Sequence, residues 1–105
     1  MINDNLTITE EKTGEKSIRL IAKGQITADT AGKLKKKLED AVSNKKNYIV
    51  INMSRVTFLS SGGIRIILSF SKILKSNGGE FYIQSPSVNV RNVIGMIALN
   101  EMLYK

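Results

Sequence analysis

This 105-residue chain predicts an α/β fold, a mixed and mainly parallel sheet of about four to five strands with an N-terminal hairpin and three or more helices. Three observations point there. The spacing of apolar residues changes along the chain from every second position to a helical period and back. Two alternating segments at the start are separated only by the turn KTGEK, whereas each later pair of strand-like segments has a helical one between, which calls for right-handed crossovers and parallel pairing. In the middle stands NYIVINM, a nearly continuous apolar run of the kind found in a central strand covered on both faces or paired in parallel.

The elements follow in order. LTITEE alternates apolar and polar residues as a half-buried strand over about 5–11, and SIRLIAKGQI resumes the alternation through Ile18, Leu20 and Ala22 over about 16–23, until Gly24 breaks it. From Asp29 the period is helical: Ala31, Leu34, Leu38, Ala41 and Val42 share one stripe, with Lys33, Lys35, Lys36 and Lys37 mostly off it. Thr27 or Asp29 supplies the N-cap and SNKKN the polar end. The central strand should end near Met53, with SRVTFL leading out to SSGG. Ile64, Ile67, Leu68, Ser71 and Leu74 then sit at helical spacing, Ile66, Phe70 and Ile73 widen the apolar face, and Asn77-Gly78-Gly79 is the stop signal. EFYIQ is a short strand; Pro86 and Ser87 begin a third helix with Val90, Val93, Ile94 and Ile97 facing inward, and EMLYK closes as a frayed turn.

The length fits one domain over 1–105, for which folding removes roughly 65% of the unfolded chain's surface from water. No cysteine is present, which excludes disulfides, thiolate zinc sites and cysteine nucleophiles. The longest uncharged run, Phe81–Val90, is too short for a membrane span of about 20 apolar residues, and MINDNLTITEEK lacks the basic start and apolar core of a signal peptide. The expectation is a soluble, cytoplasmic protein with no membrane span. The net charge of +7 raises nucleic acid as a partner, but the excess is densest in KLKKKLED, which reads as a solvated helix face. Arginines are few and the six aromatic residues scattered, so no direct DNA binding is expected.

Catalysis is hard to build from these residues. Without histidine there is no Ser-His-Asp arrangement, and the nine carboxylates are scattered through turns and a lysine-rich helix, so no acid/base pair or metal cluster stands out. SSGG lacks the spacing and the lysine of a P-loop. No catalytic residue, metal or cofactor is expected, and the chain reads as no enzyme. Ser60 and Ser61 are a separate question. Either hydroxyl can cap the following helix, an interaction worth about 1 kcal/mol. A cap alone does not explain Gly62 and Gly63, since glycine at the first helical positions costs up to roughly 1 kcal/mol against alanine. Glycines suit a place where something approaches the backbone closely, and a hydroxyl at a helix N-terminus can carry a phosphate that the helix dipole compensates. Capping and a modified or docking serine both stay open on these grounds.

Three segments resemble the anti-sigma factor antagonists, the single-domain form of the STAS domain. GQITADTAGKLKKKLEDA is similar to the family's Gly-x-Leu-Asp loop and first helix. YIVINMSRVTFLSSGGIRIIL resembles its central strand, valine-containing bend and Asp-Ser-Ser-Gly-Leu switch loop, and GGEFYIQSPSVNVRNVIGMIALNEML its last strand and helix, with Ala98-Leu99 at the small-residue and leucine positions. The resemblance implies an antagonist that binds an anti-sigma factor and serine kinase of the histidine-kinase-like ATPase type, is released by phosphorylation of the loop's second serine, and is restored by a serine phosphatase. The matching phosphoacceptor is Ser61, with Ser60 as second choice, and the same hydroxyl is expected both to cap the helix and to stand at its accessible tip. The implied docking face combines Gly24, Thr27 and Asp29 with Ser60, Ser61, Gly62, Gly63 and Arg65, the last pointing outward to a partner acid. Leu59 and Thr27 stand in for two family aspartates, which keeps open a non-switching scaffold subunit of a stress-sensing or membrane transport assembly.

Overall fold

The structure, a computed structural model, describes residues 5–95 and 101–103. Strand β1 (Leu6–Lys12) pairs antiparallel with β2 (Ser17–Ile26), Leu6 opposite Gly24 and Lys12 opposite Ile18. The helix α1 (Ala31–Ser43) carries the chain back to β3 (Tyr48–Leu59), which lies parallel to β2, and α2 (Ser61–Ser76) returns it to β4 (Glu80–Gln84), parallel to β3. The sheet order is β1-β2-β3-β4, and α3 (Val88–Ile94) follows. This is the mixed four-stranded sheet with an N-terminal hairpin that the periodicity predicts.

Strand order and handedness decide the layers. Two right-handed crossovers that step in the same direction across a sheet deliver both helices to one face. Accordingly α1 lies over β1 and β2, α2 over β3 and β4, and the two helices touch. Between helices and sheet sits one core, built from Leu20, Ile49, Ile51, Phe81 and Ile83 on the strands and Leu34, Leu38, Ile67, Phe70 and Leu74 on the helices. The described part of the molecule is only 19 Å thick along its shortest axis. Neither α1 nor α2 lies over the outer sheet face, and Val50 is buried there between its register neighbours Arg19 and Tyr82. The apolar run in β3 therefore reflects parallel pairing and long neighbouring side chains rather than helices on both faces.

Several sequence expectations are corrected. Gly24 does not end β2; at φ +117° it forms a bulge, and the strand runs on to Ile26. An added Cβ on Gly24 would lie 2.0 Å from the Asn5 carbonyl oxygen, so this backbone position is closed to any other residue without rearrangement. The central strand does not stop near Met53 either. It continues to Leu59 because β2 continues beside it, with Gly24 opposite Val56 and Ile26 opposite Leu59. On the helices, Ile73 and Val93 are exposed rather than inward. Glu101 and Met102 are helical, Met102 is buried, and Leu103 bridges Ile83 in parallel, so this segment packs on the sheet instead of fraying. Ile97, Ala98 and Leu99 lie outside the described residues.

Candidate functional site

The extension of β2 and β3 past the bulge brings two loops together at the carboxyl ends of the parallel strands. The Ser60 amide donates to the Ile26 carbonyl at 2.8 Å, and the Thr57 hydroxyl donates to the Gly24 carbonyl at 3.3 Å. The loop that starts α1 and the loop that starts α2 are thereby stitched edge to edge. In an α/β sheet with parallel strands, this end is where ligands and partners are commonly received.

At the α1 start the hydroxyls are engaged within the loop. The Thr30 hydroxyl donates to the Gln25 carbonyl at 2.7 Å and accepts from the Thr27 amide at 2.8 Å. The Thr27 hydroxyl accepts from the amides of Asp29 and Thr30, each at 3.2 Å. The N-cap position is Thr30, not Thr27 or Asp29, and its side chain makes no capping bond to the helix, being turned toward Gln25 and Thr27 instead. Asp29 is exposed, and it is the one acid in the loop.

At the α2 start the duties of the two serines are divided. Ser60 is the N-cap: its backbone is extended and its hydroxyl accepts from the Gly63 amide at 3.1 Å. Ser61 is the first helical residue and is exposed, and among the described residues no hydrogen bond engages its hydroxyl. One hydroxyl does not both cap the helix and stand free, as the sequence suggests; Ser60 caps and Ser61 stands free. The glycines differ as well. Gly63 is buried, and a Cβ there would press to 2.7 Å on both Ile26 and Leu59. Its absence lets the helix start lie against the ends of β2 and β3. A Cβ on Gly62 would meet only the Ser60 hydroxyl, at 3.7 Å, an ordinary contact. Nothing in the fold requires glycine there.

Arg65 stands one turn beyond Ser61 and is exposed, as expected from its isolation in an apolar segment. Leu59 is 2% exposed and belongs to the core. At the far end of the sheet the Tyr82 phenol donates to the Glu80 carboxylate, and that bond, chiefly, pushes its pKa up. Two residues of this end were not singled out from the sequence. Phe58 and Val88 are 49% and 70% exposed, and their segments meet: Ser87 and Asn89 donate side-chain hydrogen bonds at 2.6 Å to the carbonyls of Val56 and Thr57. Only the bulged register of β3, which breaks strict alternation, turns Phe58 outward.

Known proteins fit this architecture. The STAS domain family model matches residues 9–104, and the chain belongs to that family. The unphosphorylated form of the anti-sigma factor antagonist SpoIIAA superposes with a TM-score of 0.81 at 19% identity, covering 93% of this chain and 86% of that one. The phosphorylated form of the Bacillus cell fate determinant SpoIIAA gives 0.77 at 18% identity, with 93% and 89% covered. An anti-sigma factor antagonist from Mycobacterium paratuberculosis gives 0.80 at 22% identity, with 93% and 82% covered. At these identities the structural likeness speaks for the fold. No helix among the described residues is long and apolar enough to cross a membrane, and no three metal-ligating side chains among them cluster.

Proposed function

We propose that this STAS domain is an anti-sigma factor antagonist that works by binding, without turnover, and that Ser61 is its phosphoacceptor. The observation that carries this reading is the free, exposed hydroxyl of Ser61 beside Gly62, whose missing Cβ serves no need of the fold. A partner that comes down on the α2 start makes use of both. The docking face joins Gly24, Thr27 and Asp29 to Ser60, Ser61, Gly62, Gly63 and Arg65, two loops that the Ser60–Ile26 hydrogen bond holds side by side. The partner is an anti-sigma factor and serine kinase of the ATPase type, with a phosphatase to reverse the modification, and the setting is cytoplasmic. A phosphate on Ser61 adds about −1.5 to −2 charges at a helix N-terminus, where the dipole favours it, so the fold tolerates it. The complex does not, because a dianion must be desolvated at a close contact; a loss of about 3 kcal/mol weakens binding roughly a hundredfold. The test is phosphorylation by the co-purified kinase with ATP, mapped by mass spectrometry, together with Ser61→Ala, which should bind permanently, and Ser61→Asp, which should bind poorly. Phosphate on Ser60 alone would move the site by one residue.

A specific observation favours a second reading. With Leu59 in the core, the capping position Ser60 is the better structural match to the aspartate of Asp-Ser-Ser-Gly-Leu. Gly63, which has no room for a Cβ, then takes the motif's glycine and the half-buried Ile64 its leucine. In that register the second serine falls on Gly62, and the chain is a STAS subunit that docks without a phosphorylation cycle. The two readings separate in one assay. No phosphate on the wild type but phosphate on Gly62→Ser decides for the second.

A further inference from the structure

The arginines of this chain are segregated. Arg19 pairs with Glu11 on the outer sheet face, while Arg55 lies on the last part of β3, Arg65 on the second turn of α2 and Arg91 on α3. No carboxylate among the described residues is within ion-pair distance of these three. Topology explains why. Glu15 sits in the β1–β2 turn, Glu39 and Asp40 at the end of α1 and Glu80 at the start of β4, all at the opposite end of the sheet, while Asp29 is the acid of the α1 loop at the site end. Lys23, the register partner of Arg55, adds a further cation.

The exposed residues Phe58 and Val88 lie on the same elements as Arg55 and Arg91, the last part of β3 and α3. Val88 is on the same face of α3 as Arg91, three residues on, and its flanking residues Ser87 and Asn89 clamp the carbonyls of Val56 and Thr57 beside Phe58. Their placement is fixed by hydrogen bonds and not left to loop geometry. Of the three arginines only Arg91 is otherwise engaged among the described residues, through its Nε to the Pro86 carbonyl at 3.3 Å. An exposed apolar pair at the same end of the fold as three arginines without a carboxylate partner is suited to a protein surface whose own apolar residue is flanked by carboxylates, since arginine binds carboxylate through two parallel N–H groups. Nucleic acid fits less well: Val88 offers no stacking surface, and Phe58 is the single aromatic side chain known to be exposed here.

We infer that the docking surface extends beyond the two loops, across the end of β3 and onto α3, with Phe58 and Val88 as apolar anchors and Arg55, Arg65 and Arg91 as its cations, and that it receives an acidic protein surface. The inference rests on the reading of this domain as a partner-binding regulator and names the chemistry of the partner. The experiment places the photo-crosslinker p-benzoylphenylalanine at Val88 and, in a second variant, at Asp29 in the α1 loop, in cells that make this protein. Both positions should capture the same protein, and the peptide joined to position 88 should carry carboxylates beside an apolar residue. Against that purified partner, Val88→Ser, with unchanged melting temperature, and Arg91→Glu, which also gives up the bond to the Pro86 carbonyl, should each lower affinity about tenfold or more. Capture from Asp29 but not from Val88 overturns the extended surface and leaves the proposed function standing. Capture from neither removes both. Crosslinking of position 88 to nucleic acid, to a second copy of this chain, or to a basic peptide also overturns the inference.

Discussion

Two helix starts lie side by side at one end of this sheet, and they use their hydroxyls differently. At the start of α1, Thr27 and Thr30 bond to each other's amides and to Gln25, so both side chains are occupied in shaping the loop. At the start of α2, Ser60 does the capping through the Gly63 amide and Ser61 is left over. Hydroxyls are ordinary at helix N-termini, because the first amides of a helix lack partners within it. Under the proposed function the α2 start, with its unengaged Ser61, is where the modifying enzyme acts, and the α1 start serves as the rest of the docking face.

The largest effect should come from moving an aspartate along the α2 start. Leu59→Asp places a carboxylate in the core and should cost about 4 kcal/mol, lowering the thermal midpoint by roughly 20 °C or more. Ser60→Asp keeps a capping oxygen at a helix N-terminus, where negative charge is favoured, and should leave the midpoint within a few degrees. Equal losses from the two changes, measured by calorimetry, would refute the assignment of Ser60 as the cap. The glycines give the next contrast. Gly63→Ala should destabilise by about 1–3 kcal/mol, since Ile26 and Leu59 must give way, whereas Gly62→Ala should stabilise by up to about 1 kcal/mol. A loss of stability at Gly62 in urea melts would mean that the fold needs that glycine after all.

The smallest differences lie among the hydroxyls themselves. Thr30→Val removes one bond accepted and one donated and should cost about 1–2 kcal/mol; Ser60→Ala should cost about 1 kcal/mol. Ser61→Ala should fall within about 0.5 kcal/mol of the wild type, the ordinary range for an exposed residue without partners. If Ser61→Ala unfolded as readily as Ser60→Ala, the contrast between a working and a free hydroxyl would collapse.

Much of the fold was legible because burial imposes a period. Ala31, Leu34, Leu38 and Ala41 mark α1 by spacing alone, and EFYIQ is β4 to the residue. The errors have a common cause. Gly24 looks like a strand breaker and SRVTFL like a way out of the strand because local rules treat a glycine, or the end of a continuous apolar run, as an end. Here the partner strand supplies what the local sequence lacks: β2 and β3 bulge together and continue for several residues. The site was half legible for the same reason. The loop Ser60–Gly63 announces itself through its composition, but which serine caps, and which glycine is sterically required, depends on Ile26, more than thirty residues earlier in the chain. Phe58 and Val88 were invisible as surface residues, since their exposure follows from a bulge and a clamp that no single segment encodes.

The strand order β1-β2-β3-β4 is also the order of synthesis. A chain emerging from the ribosome never has to leave a gap for a strand still to be made; each new strand joins the edge left by the one before. Each new strand thus pairs with the one made just before it, across a helical crossover in the two parallel pairs, and no pairing waits for a strand not yet made. The two stitched loops are complete as soon as α2 has formed, before β4 or α3 exists. The Val88 side of the surface arrives last, so a nascent chain would present the Ser61 loop to its surroundings while the neighbouring face is still unfinished.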